Sequence, residues 1–141
     1  MITTSYFAMA RYLPNAVSIS NIKPAWYTGG EIRMLVPPFY LVDSYKAGYI
    51  SDANFVKDYT ENVLSILSPH DVYDYIVSKF GEDATLVCYE KTGEFCHRHI
   101  VAKWLERGTG KKIPELIVTD EMKKQFKLNK KAMAKDDCKT C

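Results

Sequence analysis

The feature that most constrains the fold is a nearly continuous apolar strand that leads into a helix. Residues 84–89, Ala-Thr-Leu-Val-Cys-Tyr, form the kind of run that a parallel sheet buries on both faces. After a loop that contains Gly93, apolar side chains recur at helical spacing between about Cys96 and Arg107. A strand followed directly by a helix favours an α/β fold.

The rest of the chain repeats this alternation of strands and helices. Helices are predicted from Asp52, which can cap the first, and from Ser68-Pro69, with the second ending at Gly81. Further strands are predicted at residues 2–8, 16–20 and 114–118, and a lysine-rich helix from about residue 120. These elements predict an α/β domain with a mainly parallel sheet.

One long segment, residues 21–38, contains too much proline and glycine for regular structure. Loops of this length are often binding loops or lids. Large aromatic side chains in and after it either cover the core or line a pocket: Trp26, Tyr27, Phe39 and Tyr40.

Charge divides the chain into two predicted parts. Its 141 residues fit one domain, and a net charge of +2 does not indicate a dedicated nucleic-acid binder. Residues 121–141 nevertheless hold seven lysines against three acidic residues, which leaves residues 1–120 slightly acidic. We expect one α/β domain over 1–120 and a basic helix and tail over 121–141. The tail is either a solvated helix or an attachment to nucleic acid.

The location expected for this chain is the cytoplasm. No apolar run is long enough to span a membrane, and the first residues lack the pattern of a secretory signal. Reduced thiols are therefore expected at Cys88, Cys96, Cys138 and Cys141. The spacing Cys138-Lys-Thr-Cys141 also permits a metal or redox sensor at the end of the chain.

Chemically reactive residues concentrate between positions 88 and 99. This stretch of 12 residues holds two of the four cysteines and two of the three histidines. In open α/β sheets, ligands bind beyond the carboxyl ends of the strands, and a helix N-terminus attracts anions. Arg98 offers a planar fork suited to phosphate or carboxylate, and the helix start favours a thiolate at Cys96.

The run LVCYEKTGEFCHRHIVAKWL resembles the signature of the domain-of-unknown-function 488 family, in which a strand ends in Cys and Glu and a helix opens with Cys-His-Arg. Residues 5–7, 16–20 and 23–26 look like the opening strand, the second strand and the proline-containing loop of that family. The resemblance covers roughly residues 1–118. It implies a Rossmann-like three-layer α/β/α fold with a pocket at these strand ends, and it brings no established reaction.

These observations predict a pocket for a small anionic ligand that resembles a nucleotide or nucleoside. The candidate catalytic residues are Cys96, Glu90 and His97. The candidate ligand-binding residues are Arg98, Ser5, Tyr6, Ser18, Ser20, Trp26 and Cys88. The same pocket without catalysis would sequester a ligand. A nucleic-acid accessory role and a cysteine-based metal or redox sensor are the other hypotheses.

Several of these residues also have ordinary structural interpretations. Cys88 can be an inert residue of a buried strand, and His97 a buried, hydrogen-bonded histidine. Glu90 can be a helix-cap acceptor. A zinc site of Cys88, Cys96, His97 and His99 is disfavoured, because adjacent helical residues point about 100° apart. No metal is therefore predicted, and the cofactor stays open.

Overall fold

The computed structural model describes the backbone of residues 1–139 and the side chains of residues 1–132. The strands are β1 (Thr3–Tyr6), β2 (Ala16–Ser18), β3 (Gly30–Glu31) and β4 (Thr85–Cys88). The helices are α1 (Phe7–Ala10), α2 (Phe39–Lys46), α3 (Asp52–Asn62), α4 (Pro69–Phe80), α5 (His97–Thr109) and α6 (Asp120–Lys139). Among the described residues, no helix is both long enough and apolar enough to cross a bilayer.

The four strands form one sheet in the order β1-β4-β2-β3, and every pair is parallel. The strand β4 lies between β1 and β2, which explains why all four of its residues are buried. Tyr6 pairs with Cys88, and Ser18 pairs with Val87, so these strands end at one edge of the sheet. This architecture confirms the predicted α/β class with a parallel sheet, as in Rossmann-like folds.

The helix α4 begins and ends where its sequence signals place it. The Ser68 hydroxyl accepts a hydrogen bond from the Asp71 N–H, Pro69 occupies the first turn, and the chain leaves the helix at Gly81 with a φ of 106°. For α3 the predicted cap is wrong by one residue. Ser51, rather than Asp52, caps that helix by accepting the Asn54 N–H.

The predicted last strand at 114–118 reduces to a single parallel bridge between Thr4 and Glu115. Thr4 donates its N–H to the Pro114 carbonyl, and Leu116 donates to the Thr4 carbonyl. Pro114 has no N–H for a longer ladder, and Ile117 is exposed. The bridge still has a consequence for the site, because it places Glu115 beside β1.

The segment predicted to be irregular contains the short strand β3, and an unpredicted helix, α2, follows it. Helical periodicity failed here because α2 buries only Leu41, while Phe39 and Tyr40 are exposed. The double proline at 37–38 sets the start of α2 without marking it as helical. The helix matters for the candidate site, because several of its residues line a cavity beside Cys96 and His97.

The helix α5 is held close to α4 at a glycine. A Cβ atom on Gly108 would lie 2.3 Å from the Cβ of Pro69, so a side chain at 108 would push the two helices apart. The opposite end of α5 carries the residues of the candidate site. Its buried face consists of His97, Arg98, Val101, Ala102 and Leu105.

Candidate functional site

Cys88 and Cys96 are joined by a disulfide at the junction of β4 and α5. Cys88 is the last residue of β4, and Cys96 is the N-cap of α5, with extended backbone angles of φ −154° and ψ 145°. The loop between them folds back, so the two sulfurs meet. The expectation of reduced thiols is therefore wrong for this pair, because it rested on cellular compartment and not on the distance between the residues.

His97 is a buried histidine with a defined tautomer. Its Nε2 lies 2.6 Å from the Ile19 carbonyl oxygen, which can only accept, so Nε2 carries the proton. Nδ1 is left with its lone pair and lies 3.9 Å from Cys96 Sγ. Burial lowers the pKa of His97 to about 4, and the nearby positive charge of Arg98 acts in the same direction.

Arg98 is fully buried and directs its guanidinium toward protein groups. Its Nε and Nη2 donate to the two carboxylate oxygens of Glu115, at 3.1 and 2.8 Å. Its Nη1 donates to Cys88 Sγ at 3.1 Å and to the Glu90 carbonyl at 2.6 Å. The guanidinium that was expected to bind a ligand thus donates its hydrogen bonds to protein groups. One of its nitrogens is directed at a sulfur of the disulfide.

Glu115 is a residue of this site that the sequence did not predict. Besides Arg98, it accepts hydrogen bonds from Thr4 at 2.6 Å and Thr92 at 2.9 Å. Burial alone would raise the pKa of Glu115, but these hydrogen bonds and the charge of Arg98 outweigh it and hold that pKa below its usual value. The available signal was an acidic residue inside the otherwise apolar run at 114–118.

A cavity of about 220 Å³ opens beside Cys96 and His97. Of the residues predicted to form the site, it brings together Ser20, Glu90, Cys96 and His97. Much of its remaining lining is aromatic and comes from α2, α3 and the loop before α5: Phe39, Tyr45, Phe55, Tyr89 and Phe95. Phe39 was a candidate pocket residue from the sequence, whereas Tyr45 could not be assigned to the site without predicting that helix.

The charged groups at this first cavity do not favour an anion. Asp43 and Glu90 contribute two carboxylates to the lining. His97 is neutral, so Lys46 is the one cationic side chain among the described lining residues. A second cavity of about 340 Å³ also borders Cys96 and has the opposite character. Its lining includes Lys103 and Arg107 and no acidic side chain among the described residues.

Other predicted ligand-binding residues lie outside the first cavity. Ser5 and Ser18 are buried; the Ser18 hydroxyl accepts the Ser20 N–H, and the Ser5 hydroxyl has no hydrogen-bond partner among the described residues. The Tyr6 ring lies 6.0 Å from the Arg98 guanidinium. Trp26 is half-exposed and borders a separate cavity. The Cys138 side chain and Cys141 fall outside the part of the chain that the structure describes.

Cys96 and His97 are not consecutive residues of one helix, because Cys96 has extended backbone angles. The separation of about 100° between neighbouring helical side chains, which disfavoured a shared metal ion, therefore does not apply to this pair. The donor atoms of Cys88, Cys96 and His97 lie within 4.8 Å of one another. His99 does not belong to this group.

The chain matches one family over most of its length. A family model described as the Active DUF488-N3 subclade covers residues 5–109. No curated protein and no solved structure matches the chain. The matched range contains β2, β3 and β4, the last two residues of β1, the disulfide and both cavities beside Cys96. This chain therefore belongs to the DUF488 family.

Proposed function

We propose that this protein is a thiol oxidoreductase that reduces a small, weakly charged aromatic disulfide, with Cys96 as the attacking thiol and Cys88 as the resolving thiol. The observation that carries the proposal is the Cys88–Cys96 disulfide beside a cavity, because it is the product that such a reaction leaves on the enzyme. Cys96 lines the cavity and Cys88 does not, which supports the assignment of the two roles.

Each sulfur has a neighbour that suits its role. Cys96 occupies the N-cap position of α5, where the helix N-terminus favours a thiolate. Neutral His97 presents the Nδ1 lone pair to Cys96 Sγ. This nitrogen can accept a hydrogen bond from the thiol and so orient it. The Arg98 Nη1 at 3.1 Å from Cys88 Sγ stabilises negative charge on the resolving thiol.

The proposed reaction consists of two thiol–disulfide exchanges. The Cys96 thiolate attacks one sulfur of the substrate, forming a mixed disulfide and releasing the first product thiolate. The Cys88 thiolate then attacks Cys96 Sγ, forming the protein disulfide and releasing the second product thiolate. Two electrons pass from the protein dithiol to the substrate, and the two protons end on the product thiols. A low-molecular-weight thiol or a dithiol protein then restores the reduced pair.

The aromatic lining supports a planar substrate group, since Phe39, Tyr45 and Tyr89 provide ring surfaces near the sulfur. This retains the nucleoside-like part of the expected ligand and drops its negative charge. A disulfide that forms and is reduced again during turnover is compatible with the expected cytoplasmic location, because the disulfides found in cytosolic proteins are usually transient and catalytic.

The test uses 2,2′-dithiodipyridine, a neutral aromatic disulfide, with full-length protein carrying Cys138→Ser and Cys141→Ser so that only the site thiols react. Pre-reduced protein should release two equivalents of thiopyridone, about 100-fold faster than free glutathione at the same pH. Cys88→Ser should stop at one equivalent, as the mixed disulfide on Cys96. Cys96→Ser should lose the fast reaction.

Two results would overturn this assignment. One is reaction of the reduced pair at the rate of glutathione. The other is release of a second equivalent by Cys88→Ser. Circular dichroism of each variant controls for folding, and mass spectrometry identifies the cysteine that holds the mixed disulfide.

A second candidate function, binding of an anionic ligand, is favoured by the basic lining of the second cavity beside Cys96. Lys103 and Arg107 are exposed on α5 and would attract a carboxylate or phosphate. If so, Lys103→Gln should slow reaction with the anionic disulfide 5,5′-dithiobis(2-nitrobenzoate) several-fold and leave the neutral probe unaffected. Equal effects on both probes, or no effect on either, would exclude this function for the second cavity.

A further inference from the structure

We propose that the reduced form of this protein binds a thiophilic metal ion through Cys88 Sγ, Cys96 Sγ and His97 Nδ1. The three donor atoms lie within 4.8 Å of one another, and all three residues are buried. The proposal shares one premise with the proposed function, that the disulfide can be reduced. It goes further by assigning a metal site to the dithiol state.

The spacing of sulfur and nitrogen fits a metal between them. Zinc binds sulfur at about 2.3 Å and imidazole nitrogen at about 2.0 Å, which places the two ligand atoms roughly 3.5–3.8 Å apart. Cys96 Sγ and His97 Nδ1 are 3.9 Å apart. Cys96 has extended backbone angles, so the separation of about 100° between neighbouring helical side chains does not apply to this pair.

The backbone also leaves room for two sulfurs to separate around an ion. The Cα atoms of Cys88 and Cys96 are 7.4 Å apart. Most disulfides have Cα separations of about 4.4–6.8 Å. Two thiolates on one zinc ion lie roughly 3.7 Å apart, which follows from the zinc–sulfur distance and a tetrahedral angle. Cysteines with this backbone spacing can reach that separation once the disulfide is reduced.

The groups around the three donors match those that support metal ligands elsewhere. A metal-ligating histidine almost always donates its other ring N–H to a carbonyl or carboxylate, and His97 Nε2 donates to the Ile19 carbonyl. The Arg98 Nη1 donates to Cys88 Sγ, which is a hydrogen bond that a metal-bound thiolate can accept. The charge of Arg98 is balanced by Glu115, so two thiolates and a neutral imidazole remain for a divalent cation.

The donor set selects the class of ion. Two thiolates and an imidazole favour Zn²⁺ or Cu⁺ over Mg²⁺ or Ca²⁺, which prefer oxygen ligands. Structural zinc sites have four protein ligands, and this group has three. The first cavity adjoins Cys96 and His97, so a water molecule or a small ligand can take the fourth position. The site is therefore expected to bind an exchangeable zinc ion.

The test titrates Co²⁺, a spectroscopic substitute for Zn²⁺, into full-length protein with Cys138→Ser and Cys141→Ser. After reduction and removal of the reductant, the protein should bind one equivalent with a thiolate-to-cobalt charge-transfer band, and Zn²⁺ should displace it. Oxidised protein should show no band. Cys88→Ser and Cys96→Ser should each lose most of its intensity, and His97→Gln should weaken binding at least about tenfold.

His99→Gln is the matched control, because His99 lies on the same helix and outside the donor group. It should bind Co²⁺ like the parent protein. A count of free thiols before each titration separates the two proposals. Two free thiols without a cobalt band overturn the metal site and leave the oxidoreductase intact, whereas a pair that cannot be reduced overturns both. A band of full intensity in Cys88→Ser and Cys96→Ser would also overturn the site.

Discussion

Replacing Glu115 with alanine should lower the free energy of unfolding by about 3–5 kcal/mol, because it leaves a buried guanidinium without its counter-ion. Arg98 is fully buried, and the Glu115 side chain is only 16% exposed. Both oxygens of this carboxylate bind Arg98, at 3.1 and 2.8 Å. Urea unfolding followed by circular dichroism measures the loss.

The matched control is the exposed ion pair between Lys23 and Glu31. Side chains at that pair are 35% and 27% exposed, so water already screens the charges. Glu31→Ala should therefore change the free energy of unfolding by no more than about 1 kcal/mol. A Glu115→Ala variant no less stable than Glu31→Ala would contradict the role assigned to the buried pair.

The contribution of Glu115 should also depend on pH in one direction. Its pKa is lower in the folded protein than the ordinary value near 4.3, so its stabilising effect is complete above that value and is lost as the pH falls through the folded pKa. The stability difference between the parent protein and Glu115→Gln should therefore be largest near neutral pH and shrink in acid. A constant difference between about pH 7 and about pH 3 would contradict this.

The elements that could be predicted from sequence are those with local signals. The apolar run of β4, the Ser68-Pro69 start of α4 and the glycine at its end each act over a few residues. The helix α2 has no such signal, because it packs by one buried leucine and exposes its aromatic residues. Because α2 was not predicted, the position of its cavity-lining residues relative to β4 and α5 could not be predicted either: Phe39, Val42, Asp43, Tyr45 and Lys46.

The site shows the same division between local and long-range information. The sequence correctly predicted that a strand end and a helix start meet within residues 88–98, and the candidate site was placed there for that reason. The partner that each side chain meets was not predictable from local sequence. Neighbouring helical residues point about 100° apart, so His97 faces the cavity and Arg98 turns toward Glu115.

The contact between Arg98 and Glu115 depends on residues that are distant in sequence. Glu115 reaches Arg98 because residue 115 bridges to Thr4 in β1, and β1 lies beside β4. No local pattern around either residue specifies this route. It changes the interpretation of Arg98 from a residue that binds a ligand to one that holds Cys88 and the end of β4 in place.

Replacing Tyr59 with alanine should lower the free energy of unfolding by about 3–5 kcal/mol, since it removes a large, fully buried side chain behind the site. The Tyr59 ring packs edge-on against the His97 ring, with centroids 5.8 Å apart, and also contacts Phe55. Its hydroxyl donates to the Leu35 carbonyl. Thermal and urea unfolding of the variant measure the loss.

The variant Tyr59→Phe tests the contribution of the hydroxyl separately from that of the ring. It keeps the contact with His97 and leaves the buried Leu35 carbonyl without this donor, so the expected loss is about 1–3 kcal/mol. Tyr49 is 84% exposed, and Tyr49→Ala should stay within about 0.5 kcal/mol of the parent protein. Because it is the ring of Tyr59 that contacts His97, Tyr59→Phe should keep the cobalt band of the reduced protein, whereas Tyr59→Ala should weaken it. Equal stability of Tyr59→Ala and Tyr49→Ala would show that the ring does not support the site.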